Sequence, residues 1–167
     1  AENASIKDHT VTLEKQGAML LTRNSYTNFA LRCKARTTPG AEARIVFHTT
    51  VAARDKQGYQ VMINNSDYRS GNAQKTGSLS LIRNNFVRTA ADDAWFDLEI
   101  AVKANVITVS VNGKRVSEYV QPDVPRRIAG LEGRVLSKGL IVCEKMSGPG
   151  SVILSELKLE SMPDNLA

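Results

Sequence analysis

The segment from Trp95 to Tyr119 constrains the fold more than any other part of the chain. Apolar residues recur at every second position from 96 to 102 and again from 107 to 111. This period of two is typical of strands with one buried face. Asn112-Gly113 follows, and this pair favours a type I′ turn because both central residues of that turn need a positive φ. The segment therefore predicts a hairpin that returns along a further strand, in an antiparallel β protein.

Other period-two patterns occur along the chain between turns rich in Gly, Pro and Asn. They predict strands near 11–13 and 19–21, and at 26–36, 42–50, 59–64, 77–83, 140–144 and 152–160. In the 77–83 strand, Leu79 and Leu81 are expected to face inward, whereas residues 1–10 read as a frayed lead-in. No segment has the capped amphipathic pattern of a helix. Strands at this spacing predict an all-β protein, a two-sheet antiparallel β-sandwich of the jelly-roll type.

Composition narrows the classes of protein that fit. The chain has 167 residues, of which 42% are hydrophobic, so residues 1–167 suit a single domain with its own core. No apolar run approaches the roughly 20 residues of a membrane span. The net charge of +5 is scattered along the chain, and aromatic residues make up only 5%. This composition argues against nucleic acid as a partner, because stacking platforms and clustered basic residues are absent from the sequence.

Two cysteines, Cys33 and Cys143, are too few for a disulfide framework and lie in no zinc-binding pattern. Cys33 is in phase with apolar neighbours, which favours two core residues; a single disulfide is the alternative if their strands are neighbours. The 64–67 and 92–93 segments carry oxygen ligands of the type that calcium takes, but without EF-hand spacing. Turn formation explains these residues more simply, so no cofactor is expected and calcium has only weak support.

Seven short motifs follow one another in a recognisable order. They are Leu21-Thr22, Tyr26–Arg32, Gly58–Ile63, Gly77–Leu79, Trp95–Gly113, Gly139–Glu144 and Ser155–Leu159. Their order and separations resemble the 3-keto-disaccharide hydrolase family, formerly a domain of unknown function, over about residues 20–162. The resemblance implies a jelly roll of the concanavalin A-like lectin/glucanase type. It also implies a carbohydrate partner and cleavage of the glycosidic bond of a 3-keto sugar.

The chain departs from the family mainly at polar positions on one sheet face. Glu42-Ala43-Arg44 and His48 stand where the family usually has Asn-Ser-Gly and a final Arg. Gln60 and Met62 stand where it has Glu and Gln, and Glu144 replaces a Gln. In a jelly roll, one sheet is concave and its outward face commonly forms the ligand groove. The resemblance therefore implies a groove in which many of the family's usual polar residues are replaced.

The candidate catalytic residues are His48, Glu144 and Glu42. Glycoside cleavage usually employs two carboxyl groups about 5–9.5 Å apart, and the resemblance places both glutamates on groove-facing positions. His48 can act as a base near neutral pH, whereas Gln60 cannot ionise. The simpler alternatives are a hydrogen-bonded histidine and glutamates that pair with arginine. The candidate substrate-binding residues are Gln60, Arg44, Asn64, Tyr68 and Arg83.

The leading hypothesis is a carbohydrate-active protein that engages a sugar in this groove. Whether it is an enzyme stays open; if it is one, the resemblance implies a glycoside hydrolase that acts on a 3-keto sugar. The alternative is a non-catalytic carbohydrate-binding or accessory domain of the same fold, and a structural or protein-interaction module is a third reading. The resemblance favours a bacterial protein that is secreted or periplasmic. The sequence begins without a leader peptide, and the sequence alone does not separate a mature exported form from a chain cut out of a longer one. A place within a longer multidomain polypeptide stays open.

Overall fold

The computed structural model describes residues 4–66 and 73–165. Within these residues there are eleven strands and no helix. The strands are β1 (Ala4–Lys7), β2 (Thr10–Leu13), β3 (Met19–Leu21), β4 (Asn28–Thr37), β5 (Glu42–Thr49), β6 (Tyr59–Asn64), β7 (Phe96–Lys103), β8 (Val106–Val111), β9 (Lys114–Val120), β10 (Leu140–Lys145) and β11 (Val152–Met162). All pairings between them are antiparallel. The predicted all-β class is confirmed.

The predicted hairpin is present in β7, β8 and β9. Asn112 and Gly113 have φ values of 50° and 76°, as a type I′ turn requires. Two hydrogen bonds join the turn to β7. The backbone N–H of Asp97 donates to Asn112 Oδ1 at 2.9 Å. Asn112 N–H in turn donates to the carbonyl of Asp97 at 2.9 Å. Local sequence alone was sufficient to predict this element, because the turn chemistry and the period of two agree.

The larger sheet has seven strands in the order β1-β2-β11-β4-β7-β8-β9. Buried and more exposed residues alternate along β7 and β8, as expected for a sheet with one face in water. A register shift interrupts β11 between Ser155 and Lys158, and Glu156 has a φ of 51° there. Residues 4–7 form β1 against β2, so the expected frayed lead-in is wrong for these four residues.

The smaller sheet has four strands in the order β3-β10-β5-β6. Its inward side chains include Ile45, Phe47 and Tyr59, which join those of the larger sheet in one hydrophobic core. Cys33 and Cys143 are both free, buried members of that core, and burial raises the pKa of each thiol to about 12. Their strands, β4 and β10, belong to different sheets and are not neighbours, and no disulfide joins the two residues. Both are core residues, as predicted.

Residues 76–85 close one edge of the sandwich instead of forming the strand predicted at 77–83. Met62 N–H donates to the carbonyl of Ser78, and the Met62 carbonyl accepts from Gly77 N–H. Ser80 N–H donates to the carbonyl of Gln60, so the segment follows β6 for a few residues. At Leu81 the chain turns with a φ of 62°. Leu79 is buried as expected, but Leu81 is exposed, and the inward placement predicted for it is wrong. The left-handed turn reverses the chain before a second inward position is reached.

The smaller sheet is buried on its outer face as well as on its core face. Every residue of β5 and β6 is buried, although alternate residues point away from the core. The turn formed by residues 51–57, here called the covering turn, contacts that outer face through Arg54 and Asp55. In the described part of the chain, no helix has the length and apolar character needed to cross a membrane.

Candidate functional site

Polar side chains meet on the outer face of the smaller sheet and form what we call the arginine–glutamate cluster: Arg44, Arg54, Asp55, Gln60 and Glu144. Glu144 Oε1 accepts hydrogen bonds from Arg44 Nε at 2.9 Å and from its second terminal nitrogen at 2.5 Å. Glu144 Oε2 accepts from Arg54 Nε at 3.0 Å. Both oxygens of this buried carboxylate are therefore held by guanidinium groups, which fixes its orientation and balances its charge.

The covering turn supplies the outer half of the cluster. Asp55 accepts a hydrogen bond from Arg44 at 2.7 Å, and the Arg54 carbonyl accepts one from Gln60 Nε2 at 3.1 Å. Arg44 lowers the pKa of Asp55 through that hydrogen bond and through its charge. The Asp55 side chain is 73% exposed, whereas those of Arg44 and Glu144 are 7% and 6% exposed. The cluster thus extends from a buried floor to a solvent-exposed rim.

Backbone geometry holds the covering turn close to the sheet. The N–H groups of Lys56 and Gln57 both donate to the carbonyl of Ala53, which forms one tight helical turn. Gly58 then returns the chain to β6 with a φ of 79°, and a Cβ there would lie 1.9 Å from the carbonyl oxygen of Phe47. Only glycine allows this close approach of two backbones. The position of Arg54 and Asp55 over the sheet therefore depends on Gly58.

Glu42 and Asn64 form the other end of this face, directly opposite each other in the β5–β6 register. Both are buried. Asn64 Nδ2 donates to the carbonyl of Gln74 at 3.0 Å. The negative charge of Glu42 raises the pKa of Lys145, although burial of Lys145 has the larger, opposite effect and lowers it. Five predicted site residues are therefore brought to one sheet face: Glu42, Arg44, Gln60, Asn64 and Glu144.

His48 is not brought together with them. A bulge interrupts the β5–β10 pairing, where Leu140 pairs with Thr49 and Ile141 with Phe47, and His48 has a φ of 59°. Its ring packs edge-on against Phe29 and Phe47 of the core, with centroids 6.1 Å and 5.2 Å away. The alternation expected along this strand ends at the bulge, because the extra residue shifts the following side chain to the other face.

The hydrogen bonds of His48 also limit its chemistry. Ser137 N–H donates to His48 Nδ1 at 3.1 Å, so Nε2 carries the hydrogen that is donated to the carbonyl of Thr27 at 2.8 Å. Burial lowers the pKa of His48, and the hydrogen bond to Thr27 opposes this only partly. The ring is thus a neutral structural imidazole whose acceptor nitrogen is occupied, which is unfavourable for a general base.

The two remaining predicted substrate-binding residues lie elsewhere. Arg83 follows the turn at Leu81 and stacks on the ring of Tyr119, with its guanidinium carbon 5.0 Å from the ring centroid. It belongs to the closed edge of the sandwich and has no described contact with the arginine–glutamate cluster. Tyr68 lies outside the described residues, so its role stays a prediction.

Sequence reasoning missed three charged residues near the cluster. Arg54 and Asp55 lie between the strands predicted at 42–50 and 59–64, in a segment that carries no periodicity. Arg134 lies in a segment without a clear pattern, yet it is buried, and burial followed by the charge of Arg44 lowers its pKa. Its Nε has no hydrogen-bond partner, while a terminal nitrogen donates to the carbonyl of Gly58 at 3.4 Å. The only feature of the sequence that could have indicated these three residues is their charge, in segments with no predicted strand.

Three of the residues considered for calcium, Asn65, Ser66 and Asp92, belong to a hydrogen-bond network, and Asp67 lies outside the described residues. Asp92 Oδ1 accepts from the Thr37 hydroxyl at 2.7 Å, and Oδ2 accepts from the Ser66 hydroxyl at 2.5 Å. Asn65 Oδ1 accepts from the Thr76 hydroxyl at 2.5 Å. Among residues 4–66 and 73–165, no group of three or more His, Cys, Asp or Glu side chains is placed to hold a metal ion. This network joins the ends of four chain segments.

A family model described as a 3-keto-alpha-glucoside-1,2-lyase-like domain matches residues 1–149 of the chain. This match agrees with the family identified from the order of the sequence motifs. A search of curated proteins gives no match.

Solved structures with the same architecture include enzymes and binding modules. A protein from Parabacteroides distasonis named "Putative glycosyl hydrolase" has a TM-score of 0.80 at 18% identity, over 96% of this chain and 91% of that one. The carbohydrate binding module CBM66 from Bacillus subtilis has a TM-score of 0.67 at 12% identity, over 95% and 91% of the two chains. A Bacillus licheniformis β-glucanase has a TM-score of 0.64 at 9% identity, over 98% and 84%. These likenesses confirm the predicted jelly-roll sandwich.

Proposed function

We propose, from the premise that this chain belongs to the 3-keto-alpha-glucoside-1,2-lyase-like domain family, that it binds a carbohydrate on the outer face of its smaller sheet. The arginine–glutamate cluster is the observation that carries this proposal. Burying two charged groups side by side is costly, and hydrophobic residues of similar size would often give equal or greater stability. The presence of such a buried charged cluster on an outer face is explained if it binds a ligand.

The rim of the cluster offers the groups that sugars require. Arg54 and Asp55 provide a donor and an acceptor at the exposed end, and Gln60 provides an amide at the floor. Sugar hydroxyls are both donors and acceptors, so such a mixed set suits them. Arg44 and Glu144 lie beneath the covering turn. In this proposal the covering turn moves when the sugar binds, so that the sugar can reach these two side chains.

Substitutions in the covering turn test the binding proposal. We expect Arg54→Gln and Asp55→Asn each to weaken binding of 3-keto-glucosides, measured by titration calorimetry, by about tenfold. Lys56→Gln is the matched control, since Lys56 is an exposed charged residue of the same turn. Absence of binding by the unaltered protein, or equal binding by all four proteins, would reject this site.

The second candidate function is cleavage of the glycosidic bond of a 3-keto sugar. In this reaction a base removes the proton from the carbon beside the ketone, an enolate forms, and the bond from the anomeric carbon to the leaving oxygen breaks as that oxygen gains a proton. Two carboxylates on one face, Glu42 and Glu144, favour this candidate. Arg44 and Arg54 would stabilise the enolate oxygen by their charge.

The base is proposed to be Glu42, with Glu144 as the alternative because its Oε2 accepts only one described hydrogen bond. It is no longer His48, whose single acceptor nitrogen is occupied. Release of free sugar from 3-keto-glucosides is the measurement. We expect Glu42→Gln or Glu144→Gln to lower the rate by about a hundredfold or more, while Glu99→Gln, an exposed residue of the larger sheet, leaves it unchanged. Binding without any sugar release would reject cleavage and leave the binding proposal standing.

A secreted or periplasmic location is proposed with this function, because the fold is similar to those of a carbohydrate binding module and a β-glucanase. A longer polypeptide that contains this domain is compatible with either candidate.

A further inference from the structure

A depression lies at the closed edge of the sandwich, separate from the arginine–glutamate cluster. It has a volume of about 270 Å³, and we call it the edge cavity: Leu81, Ile82, Arg83, Tyr119, Arg126, Arg127, Ile128 and Leu131. Three chain segments contribute to it: the turn at 79–84, the end of β9, and the loop at 126–131. Three of its eight lining residues are arginines, and none is acidic.

Two of these arginines enclose the ring of Tyr119. The guanidinium carbon of Arg83 lies 5.0 Å from the ring centroid, and that of Arg127 lies 5.5 Å from it. Arg127 also donates to the hydroxyl groups of Tyr59 and Tyr119 at 2.8 Å and 3.0 Å. Its remaining described partners are the backbone carbonyls of Arg126 and Arg134, so all of them are neutral. This packing holds the positive charge in a fixed place.

The charge at the edge cavity is not balanced by nearby carboxylates. None of the three arginines forms an ion pair with a described residue, whereas exposed arginines elsewhere pair with Glu99 and Glu118. The loop at 121–134 contains two described acids: Glu132 accepts a hydrogen bond from the backbone N–H of Gly130, and exposed Asp123 forms no described ion pair with these arginines. Arg127 also adds to the charges that lower the pKa of Arg134. The cavity therefore has a local excess of positive charge.

Backbone hydrogen bonds fix the position of Arg83 in the structure. The N–H groups of Ile82 and Arg83 both donate to the carbonyl of Leu79, and Asn84 Oδ1 accepts from Leu81 N–H at 2.8 Å. The Ser117 hydroxyl on β9 donates to the carbonyl of Gly77 at 2.7 Å, which anchors the same segment to the larger sheet. A preformed cationic site loses less conformational entropy on binding than a flexible one.

We propose that the edge cavity is a separate binding site for a sugar unit that carries a carboxylate or sulfate group. Guanidinium groups form paired hydrogen bonds with such planar or tetrahedral oxyanions. The exposed side chains of Leu81 and Ile128 provide apolar surface for the C–H face of a sugar ring. The volume lies just under the roughly 300–1,000 Å³ typical of pockets for drug-sized ligands, so the cavity fits one sugar unit.

The choice of a sugar as the bearer of the anion rests on the carbohydrate binding proposed above, whereas the choice of an anion rests on the edge cavity alone. The experiment therefore compares charged and neutral forms of one saccharide. Trigalacturonate and its fully methyl-esterified form share a backbone and differ in charge. Inorganic sulfate serves as the anion without a sugar. Binding of each is measured by titration calorimetry at low ionic strength, because salt screens exposed charges.

The expected result is that the unaltered protein binds trigalacturonate more tightly than its methyl ester. Arg126→Gln and Arg83→Gln should each weaken that binding by about tenfold or more. Arg126 is the cleaner position, because its exposed side chain has no described hydrogen bond and its loss should leave the fold intact. Arg32→Gln removes an exposed arginine from the larger sheet and should change nothing.

Three outcomes would overturn the proposal. They are equal binding of the charged and neutral saccharides, unchanged binding in both edge-cavity variants, and binding of inorganic sulfate but not of trigalacturonate. The covering-turn variants Arg54→Gln and Asp55→Asn separate the two sites. If they abolish trigalacturonate binding while the Arg126 and Arg83 variants do not, the anion binds at the arginine–glutamate cluster and the edge cavity is rejected.

Discussion

Two arginine–glutamate pairs occupy equivalent cross-strand positions in the two sheets, one in water and the other beneath the covering turn. Arg32 faces Glu99 across β4 and β7, with side chains 51% and 42% exposed. Arg44 faces Glu144 across β5 and β10, with side chains 7% and 6% exposed. The two pairs have the same chemistry and hydrogen-bond lengths of 2.8 Å and 2.9 Å between Nε and a carboxylate oxygen. Their surroundings differ.

The difference shows how the surroundings set the role of an ion pair. An exposed pair gains little, because water competes for both charges. A buried pair loses its hydration, so each charge needs several partners. Arg44 and Glu144 have those partners in Asp55 and Arg54, whereas Arg32 is 3.5 Å from one further carboxylate, that of exposed Glu160. The sheet with a covered outer face thus contains a buried, multiply paired charge cluster, and the sheet with an open face contains surface ion pairs.

The largest expected effect is on stability when each arginine is removed in turn. Arg44→Met should lower the free energy of unfolding by about 3–5 kcal/mol, because Glu144 then keeps only Arg54 as a partner for a buried charge. Arg32→Met should lower it by about 1 kcal/mol or less. Urea unfolding at neutral pH measures both. Equal small losses would mean that the outer face of the smaller sheet is wetter than its burial indicates.

A smaller effect on the free energy of unfolding is expected when alanine replaces either of two glycines. One lies beside the covering turn and the other in the exposed hairpin. Gly58→Ala should cost about 3 kcal/mol, the upper range for a strained backbone, because its Cβ would meet the backbone at Phe47. Gly113→Ala should cost about 1 kcal/mol, since it also has a positive φ but nothing lies within 4 Å of the added Cβ. The same unfolding experiment compares them, and a larger loss at Gly113 would contradict the close contact.

The smallest effect is a dependence of stability on pH that His48 should produce. Burial lowers its pKa in the folded protein below the ordinary value of 6.5. Below about pH 6.5 the unfolded chain binds a proton that the folded protein does not. The contribution of His48 is therefore complete above about pH 6.5. It is lost as the pH falls towards the lowered pKa, by at most about 1.4 kcal/mol per pH unit.

Unfolding curves between pH 5 and pH 8 measure this contribution, with His48→Asn and His9→Asn as the variants. Asparagine tolerates the positive φ that both histidines have. The stability difference between the unaltered protein and the His48 variant should shrink as the pH falls. The exposed His9 serves as the control. A constant difference across this range would show that His48 titrates alike in both states.

Much of the fold follows from local patterns. The Asn112-Gly113 turn and the strands on either side of it are as predicted, because turn chemistry and side-chain alternation act over a few residues. Leu81 is a counterexample within the same protein. Its pattern continued that of Leu79, but the backbone pairs with β6 for only a few residues before it turns. That turn depends on contacts with another part of the chain.

The candidate site was predicted only in part. Alternation correctly placed Glu42, Arg44 and Gln60 on one face, because the register of β5 and β6 is regular there. It failed at His48, where a bulge shifts the side chain towards Phe29. A bulge leaves little trace in a single sequence, since it is set by pairing with a distant strand.

The sequence by itself determined the all-β class, the hairpin, the core faces of the strands and, through the order of its motifs, the family. The class, the hairpin and the strand faces depend on neighbours a few residues apart, and the family on the order of motifs along the chain. Only the tertiary structure decided which charges are buried, how Arg54 and Asp55 reach the arginine–glutamate cluster, and how three arginines from separate segments meet at the edge cavity. The free energy of a charge depends on the solvent around it and on partners far away in sequence, and both are set when the chain folds.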